Sequence, residues 1–429
     1  MQSFLLAGTQ SGCGKTSVTL ALLQFLKREK YSPACFKAGP DFLDPLWHQA
    51  ITGQVSLNLD TRMIGEAECQ QIFSQEREEK FALVEGVMGM FDGRSGVGEA
   101  GSSAHLAKTL NIPVVLIVDT KGMAGSIVPL VSGFVQQAEK MGVKISAVIA
   151  NRVGSEHHAQ LLKNFLQEYM LPPLLGWMSK QAPTLPERHL GLVRPDEHEI
   201  PDFLPALHID DDVLKATWSE DIAAEAANNN ASSKNRLEGK TIAIARDDAC
   251  CFCYQANLDW LQSEAAEIVF FSPLAGETIP DNTDALWLPG GYPELYAEKL
   301  SLSASLLSIK RFIEQGKPVL AECGGMMLLG QSLQDKAGDV WSMANVLPFK
   351  TRMQDKLASL GYREDASGVR GHEFHHSLRE NCGDDELQAF ELKRGDKGLQ
   401  YNNLRASYIH WYFASEPEVV ANWLGAENK

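Results

Sequence analysis

What is scarce in this sequence narrows it first. No apolar run approaches the ~18 to 20 uninterrupted residues that a bilayer-spanning helix needs. The opening Phe4-Leu5-Leu6-Ala7 reads as a strand entered at once, with no basic leader and cleavage site before it. Positive charge is the minority sign: 39 Lys and Arg face 55 Asp and Glu, a formal net charge of −16. Phosphates are repelled overall, which argues against nucleic acid or an acidic membrane surface as the main partner and leaves only local cationic pockets. Cysteine is sparse and irregular, with eight residues at 13, 35, 69, 250, 251, 253, 323 and 382. Such scatter suits reduced thiols in a cytoplasmic enzyme rather than a disulfide framework. Cys250-Cys251-x-Cys253 is the one cluster, and it lacks a second ligand pair at zinc-finger spacing. The expectation is a soluble, cytoplasmic protein.

What is present is enough for two cores. A chain of 429 residues exceeds one ordinary core, and two domains of roughly 200 residues are the natural division. Residues 219–238 lose apolar periodicity and turn small and polar, so the expected plan is a first domain over 1–215, a linker over 216–238 and a second domain over 239–429. In both halves apolar strands alternate with helical stretches, which predicts an α/β fold built on parallel sheets.

The first half opens as strand, glycine-rich loop, helix: Ser3–Ala7, then Gly8-Thr9-Gln-Ser-Gly12-Cys-Gly14-Lys15-Thr16-Ser17, then an apolar-periodic segment to Leu26. Backbone N–H groups of such a loop wrap phosphates, Lys15 reaches the terminal phosphates and the Thr16 hydroxyl can ligate Mg²⁺. The strict pattern has glycine where this chain has Thr9, and the first glycine, Gly8, comes one position early. Downstream, Phe36-Lys37-Ala-Gly-Pro-Asp41-Phe-Leu-Asp44-Pro45 ends a strand in two carboxylates, readable as Mg²⁺ and nucleotide handling or as turn and capping chemistry. Phe81–Val84 is a buried strand ending at Glu85, and the loop after it carries Asp92. Ligands of doubly wound sheets collect at the carboxyl ends of strands, so Asp41, Asp44, Glu85 and Asp92 are expected at one pocket. Asn151 ends another strand, placed either to read an adenine edge or to form a turn; Arg188 and His189 supply a cationic turn for a substrate carboxylate or phosphate.

The second half turns on Ala321-Glu-Cys323-Gly324-Gly325, a short apolar run feeding a sharp turn. That turn lifts the Cys323 thiol to a helix N-terminus, where the dipole lowers a thiol pKa and backbone N–H groups can hold an oxyanion. Upstream, Pro289-Gly290-Gly291-Tyr292-Pro293-Glu294 frees backbone N–H groups to point inward, and Leu404–Tyr412 alternates like one strand carrying His410. Thiol, imidazole and Gly-Gly loop together form an acyl-transfer constellation.

These motifs also carry a resemblance. The longer loop, Gly-Thr-x-x-x-x-Gly-Lys-Thr, resembles dethiobiotin synthetase and its relatives. Pro289–Glu294, Ala321–Gly325 and His410 look like a class I glutamine amidotransferase domain with a flavodoxin-like α/β fold. Together with Lys37–Pro45, Glu85–Asp92, Leu185–Leu192 and Gly371-His-Glu-Phe-His-His-Ser377, they resemble the cobyrinic acid a,c-diamide synthase family over nearly the whole chain. The resemblance implies glutamine hydrolysis through a thioester on Cys323, with His410 as base and the N–H groups of Gly291 and Gly324 as oxyanion donors. It implies an N-terminal P-loop doubly wound domain in which ATP and Mg²⁺ activate two carboxylates of a cobyrinic-acid-type tetrapyrrole. There Gly8, Thr9, Gly12, Gly14, Lys15, Thr16, Ser17 and Asn151 take the nucleotide, Thr16, Asp41 and Glu85 the metal, and Asp44 and Asp92 stand near the reacting groups. Most class I domains place a glutamate two residues after the histidine; here that position is Tyr412, so a Cys–His dyad is expected.

The alternatives are a nickel-sirohydrochlorin a,c-diamide synthase of the same family, a cysteine peptidase-like hydrolase and a deviant phosphate-loop regulatory ATPase. The last carries an extra early lysine that Gly8-Thr9-Gln10-Ser11 lacks. Expected partners are glutamine, ATP and the tetrapyrrole, with no nucleic acid or membrane; a homodimer is the assembly carried forward.

Overall fold

The computed structural model describes residues 2–76, 81–93, 100–188, 191–217, 234–380 and 388–426, and the chain divides into two compact units, Met1–Asn229 and Asn230–Lys429.

The first unit alternates strand and helix from its start: β1 (Ser3–Gly8), α1 (Lys15–Arg28), β2 (Pro33–Ala38), α2 (Leu43–Thr52), β3 (Leu57–Leu59), α3 (Glu66–Glu76), β4 (Phe81–Gly89), α4 (Ser103–Leu110), β5 (Val114–Asp119), α5 (Ile127–Met141), β6 (Ile145–Val153), α6 (Glu156–Glu168) and β7 (Leu174–Ser179). A small hairpin, β8 (Glu187–Arg188) with β9 (Gly191–Leu192), precedes β10 (Leu207–Ile209) and α7 (Asp211–Thr217). Eight strands form one sheet in the order β10-β7-β6-β5-β1-β4-β2-β3, parallel except where β10 runs against β7. Every residue of β1 is buried, as are Val114 to Val118 of β5, because helices cover both faces of the sheet. That two-sided burial explains why these strands read as unbroken apolar runs rather than as alternation.

The second unit restarts the pattern with β11 (Thr241–Ala245), α8 (Gln255–Ser263), β12 (Glu267–Phe271), β13 (Ala285–Leu288), α9 (Ala297–Ser301), α10 (Ala304–Glu314), β14 (Val319–Glu322) and the short α11 (Gly324–Met327). Then come β15 (Ser332–Gln334), β16 (Val340–Ser342), β17 (Lys350–Met353), β18 (Ser359–Glu364), β19 (Arg370–His375), β20 (Ser377–Glu380), β21 (Leu399–Tyr401), β22 (Leu404–Ser407), β23 (Ile409–Tyr412) and α12 (Pro417–Trp423). The main sheet runs β12-β11-β13-β14-β22-β21, five parallel strands in flavodoxin-like order with β21 antiparallel at the edge. Two smaller sheets, β16-β15-β17-β20 and β18-β19-β23, complete the unit.

Two details refine the sequence expectations. Of the expected linker, residues 218–233 lie outside the described ones; at its margins α7 continues through Thr217, and Leu237 is fully buried in the second core. The stretch Leu404–Tyr412 is not one strand. β22 pairs with β14 in the main sheet, while β23 pairs with β19, His372 facing His410. The break falls at Tyr408, whose N–H donates to Asp396 Oδ2 at 2.7 Å instead of to a strand, and whose ring stacks on His375 at 3.6 Å. Alternation alone could not reveal a change of sheet in mid-run.

Two candidate catalytic centres

The phosphate loop lies at the carboxyl end of β1, as the sequence predicts. Its curl is held from β6: Asn151 Nδ2 donates to Cys13 O at 2.8 Å, and Arg152 donates to Gly12 O at 3.1 Å while pairing with Asp119 at 2.5 Å. Gly14 must be glycine here, with φ +91° and Asn151 Nδ2 only 2.2 Å from where a Cβ would stand. Asn151 thus braces the loop with its amide nitrogen, and its Oδ1 accepts from Arg152 N at 2.8 Å. Lys15 Nζ donates to Met88 O at 2.5 Å, and burial is the main reason its pKa is lowered.

Beneath the loop, five side chains from α1, β2, α2 and β4 meet. Thr16 Oγ1 donates to Glu85 Oε1 at 2.8 Å and lies 3.5 Å from Asp44 Oδ2. Lys37 Nζ stands 2.5 Å from Asp44 and 2.9 Å from Glu85, and His48 Nε2 is 2.8 Å from the other Glu85 oxygen. Burial opposes each of these charges, but Asp44 and Glu85 hold the Lys37 ammonium above its ordinary range, and Lys37 with His48 holds Glu85 below the carboxylate range. Burial, helped by Asp41 and Glu85, pushes Asp44 up to about 7. Lys37 and His48 were not singled out from the sequence. A lysine inside the apolar strand Cys35-Phe36-Lys37-Ala38 was the available signal for the first; nothing marked His48 before the fold placed α2.

The other expected members are dispersed in role. Asp41 Oδ1 accepts from the N–H groups of Leu43 and Asp44 at 2.8 and 2.9 Å, capping α2. Asp92 Oδ2 accepts from Gly89 N at 2.8 Å, which is turn chemistry at the end of β4. Arg188 belongs to β8 by its backbone, and His189 lies outside the described residues.

In the second unit β14 delivers Cys323 in a strained backbone conformation, φ 45° and ψ −110°, at the start of α11. A methyl on Gly290 would come 2.3 Å from His410 Cε1 and 3.2 Å from Cys323 Cβ, so glycine there is what lets thiol and imidazole close on one spot. A Cβ on Gly324 would lie 2.9 Å from Gly291 N, which puts both expected oxyanion donors beside the nucleophile. Burial pushes the thiol pKa well up; Glu294, Glu322 and Glu373 push the same way, and the Gly324 N–H opposes them. Burial, with His372 and His375 beside it, lowers His410 to about 3. Both shifts favour the uncharged forms, thiol and imidazole, so burial outweighs the lowering of the thiol pKa that a helix N-terminus leads one to expect from the sequence.

A buried carboxylate one residue before the nucleophile fixes the pair. Glu322 Oε1 accepts from Trp411 N at 2.9 Å and Oε2 from Trp287 Nε1 at 3.1 Å, while Cys323 N donates to Ser407 O at 2.7 Å. Asn257 holds the far side, donating to Trp411 O at 2.8 Å and accepting from Phe413 N at 2.9 Å. Side chains thus replace the ladder where β23 leaves the main sheet, and they tie the residue after His410 to the residue before Cys323. Burial raises Glu322 to about 8. Glu322→Gln must aim an NH₂ at one of two N–H donors, so chemical denaturation is expected to show a loss of about 1–3 kcal/mol. In a Trp287→Phe background, which already lacks one donor, the same substitution should cost less than in the parent; equal stability of Glu322→Gln and the parent would contradict the clamp.

β19 forms a further wall. Cys323 Sγ lies 4.0 Å from Phe374 O, and Glu373 pairs with Arg363 at 2.5 Å and with His375 at 2.9 Å. The Gly371–Ser377 motif thus stands beside the nucleophile, an adjacency that its spacing of some fifty residues from Cys323 hid.

Each unit also matches a known domain family. Residues 4–193 match the CobQ/CobB/MinD/ParA nucleotide binding domain, and residues 241–418 match the CobB/CobQ-like glutamine amidotransferase domain. A cobyrinate a,c-diamide synthase of Salmonella typhimurium is 38% identical over 100% of this chain and 98% of its own length. Proteins of the same name from Herminiimonas arsenicoxydans and Priestia megaterium are 37% and 36% identical, over 99% and 98% of this chain and 97% and 96% of theirs.

Proposed function

The chain belongs to the cobyrinate a,c-diamide synthase family, and from that premise we propose that it amidates the a and c acetate carboxylates of cobyrinic or hydrogenobyrinic acid, drawing nitrogen from glutamine and energy from ATP. The observation that carries this reading is the presence in one chain of a phosphate loop over a Lys37–Asp44–Glu85 cluster and a Cys323–His410 pair with glycine N–H donors.

In the glutaminase half, His410 takes the Cys323 proton as the thiolate attacks the side-chain amide. The N–H groups of Gly291 and Gly324 hold the oxyanion, and the imidazolium returns its proton to the departing ammonia. Water then releases glutamate from the thioester. In the synthetase half, Lys15 and the loop N–H groups hold the ATP phosphates while a tetrapyrrole carboxylate takes the γ-phosphoryl group, giving an acyl phosphate and ADP; ammonia displaces phosphate to leave the amide. Thr16 Oγ1 and the Glu85 oxygens are hard donors that would hold Mg²⁺; Asp44, expected from the sequence near the reacting carboxylates, stands close enough to Thr16 to join them, and Lys37 already stands between the two carboxylates as a cation. Asp41 is the further oxygen donor in this assignment. Bound Mg²⁺ would supply screening of the phosphate charge.

Mass spectrometry of products formed with ATP and glutamine tests the reading. Cobyrinic and hydrogenobyrinic acids are expected to gain two amides; amidation confined to nickel-sirohydrochlorin would overturn the choice of macrocycle.

A further inference from the structure

Glu294 has no role in the chemistry above, yet it sits against it. It lies in the turn Pro293–Leu295 that follows the oxyanion glycine, and it is only 8% exposed. Its neighbour Pro293 would be 2.8 Å from a Cβ on Gly324, the residue after the nucleophile. Among the described residues its carboxylate enters no ion pair: its own backbone N–H is its hydrogen-bond donor, and Lys336 acts on it only through space. Of the charges acting on the Cys323 thiol, that of Glu294 is the largest.

Burial pushes the Glu294 carboxyl up to about 7, and in its ionised form, with no counter-charge, it works against a thiol that must become a thiolate, unless something cationic arrives with the substrate. The other buried acids here are already engaged: Glu322 by two N–H donors and Glu373 by Arg363 and His375. Glutamine brings one cation, its α-ammonium group. We propose that Glu294 receives the α-ammonium of glutamine, selecting a free α-amino acid amide over other amides and setting which end of it faces Cys323. The inference rests on the glutaminase reading of the Cys323 centre. Binding of the true substrate then also removes the charge that most disfavours the thiolate, so occupancy and activation of the nucleophile are coupled.

Glutaramic acid, which is glutamine without its α-amino group, is the probe. Ammonia release from glutamine and from glutaramate is compared in the parent, Glu294→Gln and Glu294→Asp proteins, with Cys323→Ala as the blank. The parent is expected to prefer glutamine by about 100-fold in kcat/KM, the usual size for one partner of a buried charge pair, and Glu294→Gln to lose most of that preference through a raised KM for glutamine alone. Should Glu294→Gln fail to fold, Glu294→Asp carries the test, because the shortened acid raises KM for glutamine and not for glutaramate. Preference retained in Glu294→Gln, or equal changes for both amides in Glu294→Asp, overturns the assignment. Parent protein that releases no ammonia above the Cys323→Ala blank would instead refute the glutaminase reading itself.

Discussion

Cys323→Ala abolishes glutamine-driven amidation and leaves amidation driven by high free ammonia in place. In the proposed mechanism, losing Cys323 removes the thioester, and His410 with the glycine N–H donors only assists an attack they cannot begin. The expected fall in glutamine-driven turnover is roughly three orders of magnitude or more. Alanine keeps the small volume of the site, and the backbone geometry at 323 asks no more of alanine than of cysteine, so the fold is retained. The synthetase centre needs only an amine to attack its acyl phosphate, and its residues all belong to the first unit. Parallel assays with glutamine and with ammonium chloride at high pH check this; loss of both activities would refute separate sites.

Lys15→Ala has the complementary signature, stopping synthesis with either nitrogen source. In the proposed synthetase centre Lys15 is the loop cation that meets the terminal phosphates, and the buried Lys37 cannot stand in because Asp44 and Glu85 hold it. Removing a charged donor to the transferring group lowers turnover by roughly 10²–10³-fold. Cys323-dependent glutamine hydrolysis uses none of these residues and is expected to continue. Single-turnover assays of acyl-phosphate formation measure the loss, and unchanged ammonia-driven turnover would remove Lys15 from the phosphate clamp.

Much of this architecture was legible because both sheets announce themselves locally. Strands buried on two faces give short apolar runs, and each site begins where such a run ends in a small or polar residue, as at Gly8, Glu85, Asn151 and Cys323. What stayed hidden was side-chain bonding across distant elements. His48 gave no sign of meeting Glu85, thirty-seven residues away, nor did Glu322 of meeting Trp411, eighty-nine away. The change of sheet at Tyr408 was also invisible, since alternation continues through it. Asp41 shows the converse: capping or turn chemistry was one of its two readings in the sequence, and its carboxylate does accept from the first N–H groups of α2, whereas the bond that Asp92 accepts from Gly89 N had no sign in the sequence.

The backbone at Cys323 has one further consequence. With φ at 45° and ψ at −110°, position 323 would sit most comfortably with glycine, and any side chain there costs on the order of 1–3 kcal/mol. The residue the reaction requires is thus one the fold resists. Natural drift toward greater stability at this position would lead away from activity, and the second unit keeps its nucleophile as a stability–function compromise held in place by the rest of its core.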